Sequence, residues 1–118
     1  MGYKNLKIYE RSYRAALAIY RLTNNFPKIE EYGLKSQMQR AGTSVPLNIA
    51  EGYAKKSSQE EFKRFLLIAL GSANEISVLL DFSYDLGYIT KEQYEKASNE
   101  YDEIGKMLNS LIQTVGKA

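Results

Sequence analysis

Arg40, Asn48 and Glu51 are the residues of this chain best placed to do chemistry. They fall in QRAGTSVPLNIAEG, residues 39–52, where a proline and two glycines interrupt a helical pattern. On a helical wheel Gln37, Arg40, Ser44, Asn48 and Glu51 share one side, along the edge of an apolar stripe made by Leu34, Met38, Ala41, Val45 and Ile49. Two readings compete. In one, Ser44 and Asn48 bond backbone groups freed by Pro46, and Glu51 pairs with a cation such as Arg40, because buried polar groups need partners. In the other, the residues line a ligand pocket, with Glu51 as its catalytic base. The first asks less of the sequence. It predicts that Glu51→Gln lowers stability.

The rest of the composition argues against catalysis. Histidine and cysteine are both absent. Their loss removes the usual nucleophile–base pairs, the main zinc ligands and the Glu-x-x-His metal pairs of helical bundles. No GxxxxGKS/T or GxGxxG phosphate loop occurs. No catalytic residue, metal or cofactor is therefore assigned, and the chain is expected not to be an enzyme. No apolar run approaches the roughly 18 residues that span a bilayer. The N-terminal MGYKNLKIYERSYR is charged throughout and lacks a signal-peptide core. No membrane association and a cytoplasmic location are expected by default.

Charge offers a second kind of chemistry. Lys4, Lys7, Arg11, Arg14 and Arg21 are spaced 3, 4, 3 and 7 apart, and Lys55 and Lys56 follow farther along. A basic stripe of this kind is what phosphate contacts require. An ordinary solvated face fits the same spacing, and the acidic series Glu95, Glu100, Asp102 and Glu103 near the C-terminus favours it. The net charge is only +2, but residues 1–60 carry 10 Lys and Arg against 5 Asp and Glu, and residues 61–118 carry 6 against 9. That asymmetry suits an acidic partner, and it suits equally the attraction of one half of the chain for the other.

The elements that must position these residues are all helical. Helical periodicity dominates the 118 residues, and only two prolines occur. Helices are expected over about residues 5–24, 30–55, 58–86 and 91–115 of a single domain, 1–118. Pro27 ends the first. SQEE at residues 58–61 and TKEQ at residues 90–93 read as capping boxes. Gly87 suits the left-handed residue that closes a helix. Short links force antiparallel neighbours, so the expected architecture is an up-down-up-down four-helix bundle with helix 2 kinked at Pro46.

Two helices carry more apolar surface than one bundle position needs. Helix 1 has Leu6, Tyr9, Tyr13, Leu17 and Tyr20 on one side and Ile8, Ala15, Ile19 and Leu22 on another. Helix 3 has a second stripe of Leu67, Gly71, Val78 and Phe82, in which Gly71 permits close approach. A bundle helix needs one stripe roughly 100° wide. The surplus points to self-association through helices 1 and 3, with Ile8, Ile19, Leu67, Gly71, Val78 and Phe82 as its expected contacts. A tightly wrapped monomer with half-exposed tyrosines is the alternative.

Residues 32–75, YGLKSQMQRAGTSVPLNIAEGYAKKSSQEEFKRFLLIALGSANE, resemble the bacterial four-helix-bundle family first noted for proteins encoded in intervening sequences of 23S rRNA genes. The shared pattern covers Tyr32, Gly33, Leu34, Gln37, Arg40, Ala41, Ser44, Pro46, Asn48 through Gly52, Ser57, Phe62, Phe65, Leu66, Ile68, Ala69, Gly71, Ser72 and Glu75. Gln39 stands where the family often has a first arginine, and Lys55 and Lys56 where an arginine commonly follows AEG. The resemblance implies an all-α bundle that assembles into a homo-oligomeric ring, commonly a pentamer, with no established enzymatic activity. Similar bundles serve as accessory proteins of diversity-generating retroelements, binding nucleic acid and a reverse transcriptase. RNA or DNA, and a protein partner of that kind, are therefore the expected partners. A protein-binding scaffold without nucleic-acid contact is the alternative.

Overall fold

The computed structural model describes residues 2–116. Four helices account for most of them: α1 Lys7–Thr23, α2 Leu34–Ala54, α3 Gln59–Asp85 and α4 Lys91–Thr114. Their ends follow local chemistry. Thr90 accepts from the Gln93 N–H at 3.1 Å while the Gln93 side chain accepts from the Thr90 N–H at 2.9 Å, a complete capping box. Ser58 accepts from the Glu61 N–H at 3.2 Å, but the reciprocal half is missing. The Glu61 carboxylate instead takes Arg64 at 3.0 and 3.1 Å, and that pairing holds it below its ordinary carboxylate range. Past α3, Gly87 has a φ of 79°, and the Gly87 and Tyr88 N–H groups bond the Tyr84 and Ser83 carbonyls at 2.9 and 2.8 Å. This paired closure relies on a residue that tolerates the left-handed region.

Helix α2 starts four residues later than periodicity alone predicts. A 3-10 turn, Lys28–Glu30, precedes it. Glu30 then caps it from behind: Oε1 accepts from the Leu34 N–H at 3.0 Å, and Oε2 accepts from the Tyr88 hydroxyl at 2.9 Å. One carboxylate thus ties the start of α2 to the turn before α4. Helix α1 is also shorter than expected, because Leu6 is extended and a separate 3-10 turn, Tyr3–Asn5, lies before it. Helix α2 runs unbroken through Pro46.

The helices pack as an up-down bundle with extents of 48 × 23 × 21 Å. Contact is most extensive between α2 and α3 and sparsest between α1 and α4. The fully buried centre is Ile19 of α1, Met38, Val45 and Ile49 of α2, Leu66, Ile76 and Leu80 of α3, and Ile104 and Leu108 of α4. Two glycines let α2 come close to its neighbours. A Cβ on Gly42 would sit 3.7 Å from Ala16 and Ile19, ordinary contact. A Cβ on Gly52 would meet Phe65 Cβ at 2.9 Å and Phe62 Cδ1 at 3.1 Å, so only glycine fits there.

Helix α3 has the length and composition of a membrane span, against the expectation that no segment does. Its apolar character has another source. One side supplies the bundle core, the opposite side carries the second stripe, and Glu75 in its middle is ion-paired.

Candidate functional site

The polar line of α2 meets a matching line on α3. The helices are antiparallel, so numbers that rise on one fall on the other: Arg40 meets Glu75, Ser44 meets Ser72, and Gly52 meets Phe65. Arg40 Nη2 donates to Glu75 Oε2 at 2.7 Å. The Ser44 and Ser72 hydroxyls lie 2.8 Å apart, and Asn48 Nδ2 donates to Ser44 Oγ at 3.0 Å and to the Ser44 carbonyl at 2.8 Å. Arg40, Ser44 and Asn48 therefore belong to a structural seam between α2 and α3, whereas Pro46 lies on the α1 side of α2.

Two details of the expected wiring are corrected. Arg40 pairs with Glu75 rather than with Glu51. Glu51 points outward, exposed, and has no hydrogen bond or ion pair among the described residues. Asn48 and Ser44 do not cap the carbonyl that Pro46 frees, which belongs to Gly42. They satisfy each other and Ser72. Glu51→Gln is accordingly expected to change stability by less than about 0.5 kcal/mol, as for other surface substitutions. Chemical denaturation of the two proteins checks this, and a larger loss would return Glu51 to the structural network. The carboxylate that this motif does engage, Glu75, is taken up by the Arg40 guanidinium.

The basic residues divide. Arg11 is committed to α4: its Nε and Nη2 donate to the two Glu100 oxygens at 2.8 and 3.1 Å, and Nη1 reaches Met107 Sδ at 3.7 Å. This bidentate contact raises the Arg11 pKa further. Arg14 pairs with Glu10 at 3.3 Å on the exposed surface. Arg21 lies near the opposite end of α1 from Lys4 and Lys7. The stripe expected along α1 is thus partly neutralised by a carboxylate of α4. The other cations gather instead. Because α2 returns antiparallel to α1, its C-terminal end and the turn after it lie beside the start of the chain, and the Tyr3–Asn5 turn packs on α2. Lys4, Lys7, Lys55 and Lys56 therefore share one end of the bundle. All four are exposed, and none forms an ion pair among the described residues.

The surplus apolar surface is real, but half of it lies elsewhere than expected. Ile8 and Ile19 are only 6% and 1% exposed and belong to the core, so they are not available as subunit contacts. The free side of α1 is Tyr13, Leu17 and Tyr20, which line a groove with Pro46 and Leu47 of α2. On α3 the expected stripe is on the surface. Leu67, Val78 and Phe82 are each at least half exposed, and a Cβ on Gly71 would touch nothing within 4 Å. Sequence reasoning named Glu75, Ser72 and Glu100 but assigned them no partner. The matched polar spacing on α2 and α3 was the available signal for the first two.

These features define a class: an all-helical four-helix bundle with a polar α2–α3 seam, one basic end and unfilled apolar faces. Residues 4–110 match the profile of the 23S rRNA-intervening sequence protein family, and the chain belongs to it. The fold is shared with a crystal structure of a protein of unknown function from the S23 ribosomal protein family of Bacteroides thetaiotaomicron VPI-5482. That protein is 35% identical over 91% of this chain and 99% of its own, with a TM-score of 0.80. No curated protein matches the chain at a significant level.

Proposed function

We propose that this chain is a non-catalytic, nucleic-acid-binding accessory protein that acts as a homo-oligomeric ring in the cytoplasm. The observation that carries the reading is the gathering of Lys4, Lys7, Lys55 and Lys56 at one end of the bundle, exposed and without an ion pair among the described residues. Phosphate binding draws on just such exposed, uncommitted cations. Arg21 extends the field along α1, Arg14 shares its charge with Glu10, and Arg11 serves the fold.

The ring is supported by two apolar faces that differ from each other, the α1–α2 groove and the outer stripe of α3. A face that fits a different face on the next copy makes a head-to-tail contact, which closes into a ring when the rotation allows. The subunit number we propose, five, follows the family resemblance. A bend of α2 at Pro46 would shape the groove side of that contact. Repeating the basic end around a ring lets weak contacts sum. A protein partner such as a reverse transcriptase would then meet the outer surface of the assembly. A pure protein-binding scaffold is the second reading, favoured by the tyrosines that line the groove.

Light scattering with absorbance at 260 nm on the same peak tests the assembly and any co-purifying nucleic acid together. Binding to a structured RNA should weaken linearly in log–log terms as salt rises. Lys55→Gln with Lys56→Gln should reduce the salt slope by about 2. Absence of binding at low salt, or binding indifferent to salt, overturns the nucleic-acid reading.

A further inference from the structure

At the turn from α2 to α3, cations alternate with aromatic rings. Lys56 Nζ lies 3.9 Å from the Tyr53 ring centroid. Lys55 Nζ is 5.8 Å, and the Arg64 guanidinium carbon 4.5 Å, from the Phe65 centroid. Every cation–ring contact among the described residues falls in this one segment, residues 53–65. Tyr53 and Phe65 are half-buried, and the three cations over them are exposed.

We infer that this turn binds single-stranded RNA or DNA, with an unpaired base stacked on Tyr53 and the flanking phosphates held by Lys55 and Lys56. The inference rests on the nucleic-acid reading above and narrows it. A duplex keeps its base faces inside the stack and offers the protein little beyond phosphates and groove edges. A single strand offers phosphates and ring faces together. Only the second makes use of aromatic rings set between lysines.

Tyr53 is the better stacking ring of the two. Phe65 is already pressed against Gly52, and Arg64 above it is held by Glu61. Tyr53 is edged by Phe62 at 6.1 Å, which fixes its orientation, and its cover is a single exposed lysine. A cation over a ring at an exposed site is weakly held. An incoming base takes the ring face, and the displaced Lys56 ammonium moves to the adjoining phosphate. Within residues 51–65 the carboxylates are Glu51, Glu60 and Glu61, against the cations Lys55, Lys56, Lys63 and Arg64.

The chain contains no tryptophan, so Tyr53→Trp places a lone indole at the stacking position. Titration compares a short oligothymidylate, a DNA duplex with the same number of phosphates, and inorganic polyphosphate at one salt concentration. The single strand is expected to quench the indole and to bind roughly tenfold tighter than the duplex, the worth of about one stacked base. Polyphosphate should bind without quenching. In the native background Tyr53→Leu should lose the tenfold preference and Tyr53→Phe should keep it, with thermal unfolding of the variants followed alongside. Equal affinity for duplex and single strand without quenching overturns this inference and leaves the nucleic-acid reading standing. Failure of both polymers to bind at low salt overturns both.

Discussion

Gly52→Ala is expected to lower stability by about 2 kcal/mol, and with it the unfolding midpoint by roughly 10 °C. The sign is decided by two opposed effects. Alanine is the better helix former, worth roughly 0.5–1 kcal/mol inside a helix. Against this, its methyl would sit 2.9 Å from Phe65 Cβ and 3.3 Å from the Phe62 carbonyl oxygen. Neither neighbour is the free end of a flexible side chain. Both are fixed close to the backbone of α3, so α2 and α3 must separate along their most extensive interface. Overpacking of this kind costs about 1–3 kcal/mol, occasionally more. Gly71→Ala supplies the contrast within the same protein: nothing lies within 4 Å of its added methyl, so the single chain should gain a few tenths of a kcal/mol or more. Thermal and denaturant unfolding of the two variants checks both. A stabilised Gly52→Ala protein would mean that the helices do not approach as closely as described.

The second large effect is on assembly rather than folding. Val78→Lys with Phe82→Lys should reduce the native mass to that of one 13.5 kDa chain. Both side chains are more than half exposed in the single chain, so the fold itself should lose less than about 1 kcal/mol. A charge placed in an apolar contact between copies has no such tolerance, because it must be stripped of water without a partner. Light scattering with circular dichroism on the same samples separates the two outcomes. A native protein that is already a single subunit, or a double variant that keeps the assembled mass, would remove the ring. Gly71→Ala again adds information, since a methyl harmless to the monomer would impede a close approach by the next copy.

Much of the fold is legible in the chain because helix ends are local events. The Thr90–Gln93 box and the Gly87 closure depend on residues within a few positions of one another, and both form as their sequences suggest. The single apolar seam of α4 is likewise readable, since Tyr101, Ile104, Leu108 and Ile112 all return to one side and are all buried. The start of α2 was not readable by periodicity. It is set by Glu30, whose two oxygens answer one neighbouring N–H and one hydroxyl from a residue far along the chain.

The apolar sides of α1 show where periodicity runs out. Both sides are hydrophobic enough to be core, and spacing cannot rank them. The chosen side carries Ser12, Ala15 and Ala16, small residues that let α2 approach at Gly42, whereas tyrosines would hold it away. The charged residues show the same limit. Arg11 looked like one of five equivalent cations until Glu100 came within 2.8 Å of it. Arg40 had a carboxylate nearby in sequence, Glu51, and took another from α3.

By itself, then, the sequence determined the helical class, the caps, most of the core stripes and the excess of apolar surface, all consequences of short-range spacing. The tertiary structure alone decided which side of α1 is buried, which cations remain outside ion pairs, and that Lys4 and Lys7 stand at the same end of the bundle as Lys55 and Lys56. Those outcomes depend on which helices become neighbours and in what register. Pairings between residues distant along the chain carry no periodic signal of their own.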